Sequence, residues 1–137
     1  MELIIIKKYL HEFHDGALLA IKCIGEGHVF SLESAEMDIS DMKDSLLLSE
    51  RRTIKGKLHL ELVQSVTVNE LIFEDKLKMK YDYGSIFDFD IRDNTVELQI
   101  SWRNSPQKPY VNDFSTIVIN AKKICWGNIP DMVDPLW

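Results

Sequence analysis

The chain has 137 residues, of which 45% are hydrophobic and 28% charged, so it is long enough for one globular domain with a sizeable core. Its formal net charge of −6 argues against a nucleic-acid-binding role, because such domains usually carry a basic surface. The apolar run at residues 3–6 is too short for a signal peptide or a membrane helix. We therefore expect a cytoplasmic protein that does not enter membranes.

The first cluster of chemically versatile side chains is His-Glu-Phe-His-Asp at residues 11–15. In an extended chain, His11 and His14 point to opposite faces, and a zinc site needs three or four convergent ligands. We expect a strand edge here, followed by a bend at Asp15 and Gly16. A metal-dependent enzyme that uses His11, His14 and Asp15 remains an alternative.

Residues 17–34 predict a first β-hairpin, because Gly25-Glu26 has the Gly-X form of a type II′ turn. The register that this turn implies places Leu19, Ile21 and Cys23 opposite Leu32, Phe30 and His28. Cys23 and His28 are ligand types that soft metals prefer, but a buried cysteine commonly packs as a small hydrophobic side chain. Cys23 and Cys125 form no CxxC motif, and we expect both to be free thiols.

The middle of the chain is less regular. A short helix capped by Ser40, with Asp44 near its first turn, is one interpretation of the polar segment before residue 53. Residues 54–62 alternate as a strand with Leu62 on its inner face, and residues 63–68 continue or bend it. A further strand is predicted by alternation of apolar residues with Lys and Asp, at Leu77, Met79, Tyr81 and Tyr83.

Residues 87–103 predict a second β-hairpin, because apolar and polar residues alternate strictly on both sides of Asp93-Asn94. Asp and Asn tolerate the positive φ that a type I′ turn requires at both loop residues. A two-residue loop there pairs Arg92 with Thr95, Ile91 with Val96, Phe89 with Leu98 and Phe87 with Ile100. The outer face carries Asp88 and Asp90. The remaining ligands of an EF-hand calcium loop are missing from this segment, so we interpret the two carboxylates as part of an acidic, solvated surface.

The last third contains a loop, a strand and a tail. Residues 103–113 form a proline-containing loop, and residues 114–126 form a long β-branched strand. Tyr110 in the loop and Trp137 at the C-terminus are candidate binding residues, because exposed aromatic side chains on irregular segments favour contacts with partners. The alternative is that both rings fold back onto the end of the domain.

Taken together, these elements predict a single all-β domain over residues 1–137, with at most one short helix. About seven to eight antiparallel strands would form a sandwich or a barrel. No nucleophile elbow, P-loop or GxGxxG motif occurs, and we expect no cofactor. The candidate binding residues are His14, Asp15, Asp88, Asp90, Tyr110 and Trp137.

The segment from Glu12 to Cys23, with its Phe-His-Asp motif, resembles the opening of a group of small bacterial β-rich proteins. Several members of that group are classed as immunity proteins of polymorphic toxin systems. The resemblance implies a stoichiometric inhibitor rather than an enzyme, and it assigns no role to Phe13, His14 or Asp15.

We therefore expect a non-enzymatic protein that binds another protein, with a basic partner favoured by the net acidity. Two further alternatives are a small-molecule binder with an apolar pocket and a homo-oligomeric module joined through an edge strand.

Overall fold

The computed structural model describes residues 3–38, 48–104, 106 and 110–130. It begins with helix α1 (Leu3–Lys7) and a 3-10 helix (Leu10–Phe13). The strands are β1 (Ala17–Ile24), β2 (Gly27–Glu33), β3 (Lys55–Val68), β4 (Leu71–Ile72), β5 (Tyr83–Arg92), β6 (Thr95–Arg103) and β7 (Phe114–Asn128).

Six of these strands form a closed barrel in the order β1-β5-β6-β7-β3-β2, and the ring closes because β2 also pairs with β1. Every neighbouring pair is antiparallel. The short strand β4 extends the sheet beyond β3 and lies outside the ring. The predicted all-β class is confirmed, and the architecture is a barrel rather than a sandwich.

The core fills the inside of the barrel and follows the alternation of its strands. On β6, the side chains of Leu98, Ile100 and Trp102 are at most 1% exposed, while the residues between them are half-buried. The indole N–H of Trp102 donates to the hydroxyl oxygen of Ser115 over 2.9 Å. This bond satisfies the one polar group that the large ring brings into the core.

The 3-10 helix closes one end of the barrel. It buries Phe13 completely, and the Phe13 ring packs edge-on against Phe89 at 5.1 Å and Trp126 at 6.0 Å between centroids. The strand edge expected at residues 11–14 is therefore wrong, because residues 11–13 form part of a 3-10 helix that places the Phe13 ring in the core. The bend that follows is confirmed, since Asp15 has a φ of 68°.

The first hairpin has the predicted turn, and Gly25 adopts a φ of 58°. Cys23 lies opposite His28 and Ile21 opposite Phe30, as predicted. The expected pairing of Leu19 with Leu32 is wrong. A register shift between Leu18 and Ala20 pairs Leu18 with Leu32 instead and buries Leu18 completely.

Strand β3 continues to Val68, which confirms that residues 63–68 extend it. The inward orientation expected for Leu62 is wrong, because this residue has a φ of 53° and its side chain is 52% exposed. The register against β7 shifts just beyond it, between Val63 and Ser65. The final predicted strand is confirmed and extends two residues further, to Asn128.

The strand predicted from Leu77 to Tyr83 is wrong up to Asp82, because this segment forms no ladder and only Tyr83 belongs to β5. Its alternation reflects a different role. Leu77 is buried, the ring of Tyr81 packs against Trp102, and the thiol of Cys23 donates to the Leu77 carbonyl oxygen over 3.1 Å. The segment thus covers the interior where β1 has diverged from β5.

The helix proposed between Ser40 and Asp44 lies outside the described residues, as does Trp137. Between Arg103 and Phe114, the described residues are irregular, as expected for a loop. In the part of the chain that the structure describes, no helix is long and apolar enough to cross a membrane. Both cysteines are free thiols.

Candidate functional site

A cluster of exposed rings lies on the outer wall of the barrel. The register of the second hairpin matches the prediction near the turn, but it shifts between Ile86 and Asp88, so that Ile86 and not Phe87 pairs with Ile100. The inward position expected for Phe87 is therefore wrong, and its side chain is 56% exposed. The reason is a β-bulge, which inserts one extra residue and turns it outward.

Phe87 makes two edge-on ring contacts there. The Phe114 ring lies 6.1 Å away between centroids and is itself 45% exposed, and the His14 ring lies 5.5 Å away. We call His14, Phe87 and Phe114 the aromatic patch.

The backbone positions His14 against β5. Its Nδ1 donates to the Phe87 carbonyl oxygen over 2.5 Å, and because a carbonyl only accepts, Nδ1 must carry the proton. The backbone N–H of Asp15 donates to the Ile86 carbonyl oxygen over 2.9 Å, and the N–H of Ile86 donates back to Gly16. These bonds hold the Phe-His-Asp segment beside the bulge.

Two carboxylates flank the aromatic patch. The Asp15 side chain is 79% exposed, with Oδ1 3.7 Å from Nε2 of His14. Asp88 directly follows Phe87 and is also exposed. The structure thus brings three predicted binding residues, His14, Asp15 and Asp88, together around a ring that the sequence analysis placed in the core.

The other predicted binding residues lie apart from this group or are not described. Asp90 accepts a hydrogen bond from Nε of Arg92 over 2.6 Å, and Glu97 lies opposite it on β6. Tyr110 is 76% exposed on its loop, so it does not fold back onto the barrel. Trp137 is outside the described residues.

The patch contains two rings that the sequence analysis did not select. Phe114 could have been found, because it is out of phase with Ile117 and Ile119, which are inward residues of the same strand. Phe87 could not, because strict alternation continues through the position of the bulge.

The metal-site hypothesis for residues 11–15 gains no geometric support. Nε2 of His11 lies 3.1 Å from a Glu12 carboxylate oxygen on an exposed surface, while His14 is bonded to β5. Across the described ranges, no three or more His, Cys, Asp or Glu side chains are grouped so that they could hold a metal ion.

A second feature is a cleft of about 680 Å³ at the mouth of the barrel. It lies between the β1–β2 turn, the second half of β3 and the segment after β4. His28 and Cys23 line it, and they face the same side as the fully buried Phe30.

His28 is electrostatically unusual. Both of its ring nitrogens are shielded from water, and neither has a hydrogen-bond partner among the residues that the structure describes. Burial lowers the pKa of His28 below its usual value, so the ring is neutral at pH 7. A neutral imidazole offers one donor and one acceptor, and both are unused here.

No protein-family model matches the chain, and no curated protein or solved structure is significantly similar to it. The resemblance of the Phe-His-Asp segment to immunity proteins therefore stays a prediction. The geometry of the aromatic patch and of the cleft is the basis for the functional proposals.

Proposed function

We propose that the protein is a non-enzymatic binding protein that takes up one partner protein through the aromatic patch. The observation that supports this is the contact between two exposed rings, with Phe87 56% and Phe114 45% accessible to solvent. Contiguous exposed aromatic surface is typical of protein interaction sites, where such rings often supply much of the binding energy.

The surroundings of the patch define the chemistry of the partner. Asp15 and Asp88 supply exposed negative charges beside the rings. The complementary surface has an apolar centre flanked by Lys or Arg, and the net charge of −6 attracts it from a distance. An immunity-type inhibitor of a toxin is the specific form of this proposal that the Phe-His-Asp resemblance supports.

The test begins with capture of the partner by the tagged full-length chain from its native lysate at low and high salt. The captured protein is identified by mass spectrometry, purified and titrated against the wild type and against a Phe87→Ala/Phe114→Ala double variant. We expect one stoichiometric partner whose binding weakens with salt. We also expect the double variant to weaken it at least about tenfold, because interface aromatic residues are often hot spots.

A matched control removes exposed apolar surface elsewhere. Leu71 and Ile72 on β4 are 73% and 79% exposed and lie outside the patch, so a Leu71→Ala/Ile72→Ala double variant should bind like the wild type. A partner that the patch variant retains, or that both double variants lose equally, would contradict the proposal.

A further inference from the structure

The cleft at the barrel mouth has the dimensions of a small-molecule site. Its volume of about 680 Å³ lies within the range of about 300–1,000 Å³ that is common for ligand pockets. It is open to solvent, and no residue of the aromatic patch lines it. A ligand could therefore occupy it independently of a protein bound at the patch.

Apolar side chains form much of its wall. Val63 and Val66 come from β3, and Ile72 and Phe73 come from β4 and the residue after it. Val66 is buried and Phe73 half-buried, whereas Ile72 is 79% exposed. An apolar ligand body would shield this surface from water, which favours binding.

His28 supplies the polar group that such a pocket needs to orient a ligand. Its nitrogens have no hydrogen-bond partner in the described structure, so a ligand N–H that donates to the ring would satisfy an acceptor that the protein leaves unpaired. Because both nitrogens are shielded from water, the ring has to rotate about its Cβ–Cγ bond before one of them can meet a ligand in the cleft. Cys23 does not compete for this role, because its thiol donates to the Leu77 carbonyl oxygen.

The charged side chains that line the cleft determine which ligand charge it favours. Glu26, Glu74 and Asp75 bring three carboxylates, while Lys76 brings one ammonium group. With His28 neutral, the cleft is negative and favours a cation over an anion.

We propose that this cleft binds a small organic amine, with an aromatic or aliphatic body on Val66 and Phe73 and an ammonium group that donates to His28. The carboxylates of Glu26, Glu74 and Asp75 supply the matching charge.

The test is an NMR titration of the full-length protein with tryptamine, followed through the amide and histidine-ring signals. Indole-3-acetate is the matched probe, because it carries the same ring with the opposite charge. We expect saturable shifts from tryptamine that are concentrated at His28, Val66 and Phe73. Indole-3-acetate should bind at least about tenfold more weakly.

Two ring substitutions separate the role of His28 from a general effect of histidine removal. His28→Phe keeps an aromatic ring but deletes both nitrogens, and we expect tryptamine affinity to fall about tenfold. His59→Phe is the control, because His59 alternates with the buried Leu58 and Leu60 and does not line the cleft. Its affinity should equal that of the wild type.

A second variant keeps the proposal testable if His28→Phe does not fold. Glu74→Gln/Asp75→Asn alters exposed side chains only, and it should narrow the difference in affinity between tryptamine and indole-3-acetate. The proposal is overturned by the absence of saturable shifts from tryptamine at millimolar concentration, by shifts that map outside the cleft, or by equal binding of the two probes.

Discussion

Glu33 and His28 are polar side chains on the same strand, β2, but they differ in whether their polar atoms have hydrogen-bond partners. The Glu33 carboxylate is 7% exposed and accepts hydrogen bonds from the Thr53 hydroxyl at 2.6 Å and from the Arg51 guanidinium at 2.9 and 3.0 Å. Both nitrogens of His28 lack any such bond in the described structure. The hydrogen bonds of Glu33 indicate a residue that stabilises the fold. The unpaired nitrogens of His28 are instead typical of a residue that binds a ligand.

The pKa of Glu33 follows from this environment. Burial alone would raise the pKa, but the hydrogen bonds from Thr53 and Arg51 and the positive charges of Arg51 and Lys55 outweigh burial and leave the pKa below its usual 4.5. A carboxyl group whose pKa is lower in the folded state stabilises the protein above the pKa of the unfolded chain. That stabilisation is lost as pH falls through the pKa of the folded state.

We predict that Glu33→Gln lowers the free energy of unfolding by about 2 kcal/mol at pH 7, because it removes hydrogen bonds to a charged acceptor. Urea denaturation of both proteins between neutral pH and pH 3 would measure the difference. It should shrink as pH falls below 4.5, because the carboxyl group of the unfolded chain then takes up a proton, and it should vanish once pH lies below the lower pKa of the folded state.

Glu74→Gln is the control for this substitution, because Glu74 is exposed and should change stability by less than about 0.5 kcal/mol. A loss that persists unchanged at pH 3 would show that charge is not the source of the stabilisation by Glu33.

At the level of elements, the β5–β6 hairpin shows what the sequence can and cannot specify. Its loop position and its first pairs follow from local chemistry. The expected type I′ turn is wrong, because Asp93 has a positive φ of 53° but Asn94 does not. The bulge at Phe87 does not follow from local pattern. It lies where β5 is hydrogen-bonded to the Phe-His-Asp segment on one side and paired with β6 on the other, and the first of these partners is distant in the chain.

We predict that the two phenylalanines of this strand contribute unequally to stability. Phe89→Ala should destabilise the protein by about 3–5 kcal/mol, because the ring is 3% exposed and packs against Phe13. Phe87→Ala should cost less than about 1 kcal/mol, because its ring lies on the outer surface. Thermal and urea denaturation of the two variants would check this, and equal losses would contradict the register described here.

The same limit applies to the segment between β4 and β5. Its alternation of Leu77, Met79 and Tyr81 with lysines indicates correctly which side chains are covered, but not that the segment lacks a strand partner. Periodicity reports which face is buried, whereas hydrogen-bond pairing depends on a neighbour that is distant in the chain. For the same reason, His14 could be selected singly from the sequence, but not as a neighbour of Phe87.

For the molecule as a whole, the number of paired residues differs widely between neighbouring strands of the barrel. β1 and β5 share two register pairs, Ala17 with Ser85 and Leu18 with Gly84, supplemented by backbone bonds at Asp15 and Ile86. β3 and β7, in contrast, are paired at eleven positions. The β1–β5 junction is therefore the least reinforced contact between neighbouring strands of the ring.

We predict that amide hydrogens at this junction, such as those of Asp15 and Ile86, exchange with solvent faster than those in the β3–β7 ladder, such as His59 and Val118. Local opening there breaks few hydrogen bonds, while opening of β3–β7 approaches global unfolding. Native-state hydrogen exchange followed by NMR would measure both sets. Uniform protection across the two sets would show that the ring opens only as one unit.

The strand order also has a consequence for the newly made chain. β7 is the last strand to be synthesised, yet it lies between β6 and β3 and completes the ring. Until Phe114 and the residues after it leave the ribosome, β3 and β6 each have one side without a partner, and the ring cannot close. Between the synthesis of β6 and that of β7, the nascent chain therefore carries two sheet borders without a partner, and unpaired borders of this kind favour association with other chains.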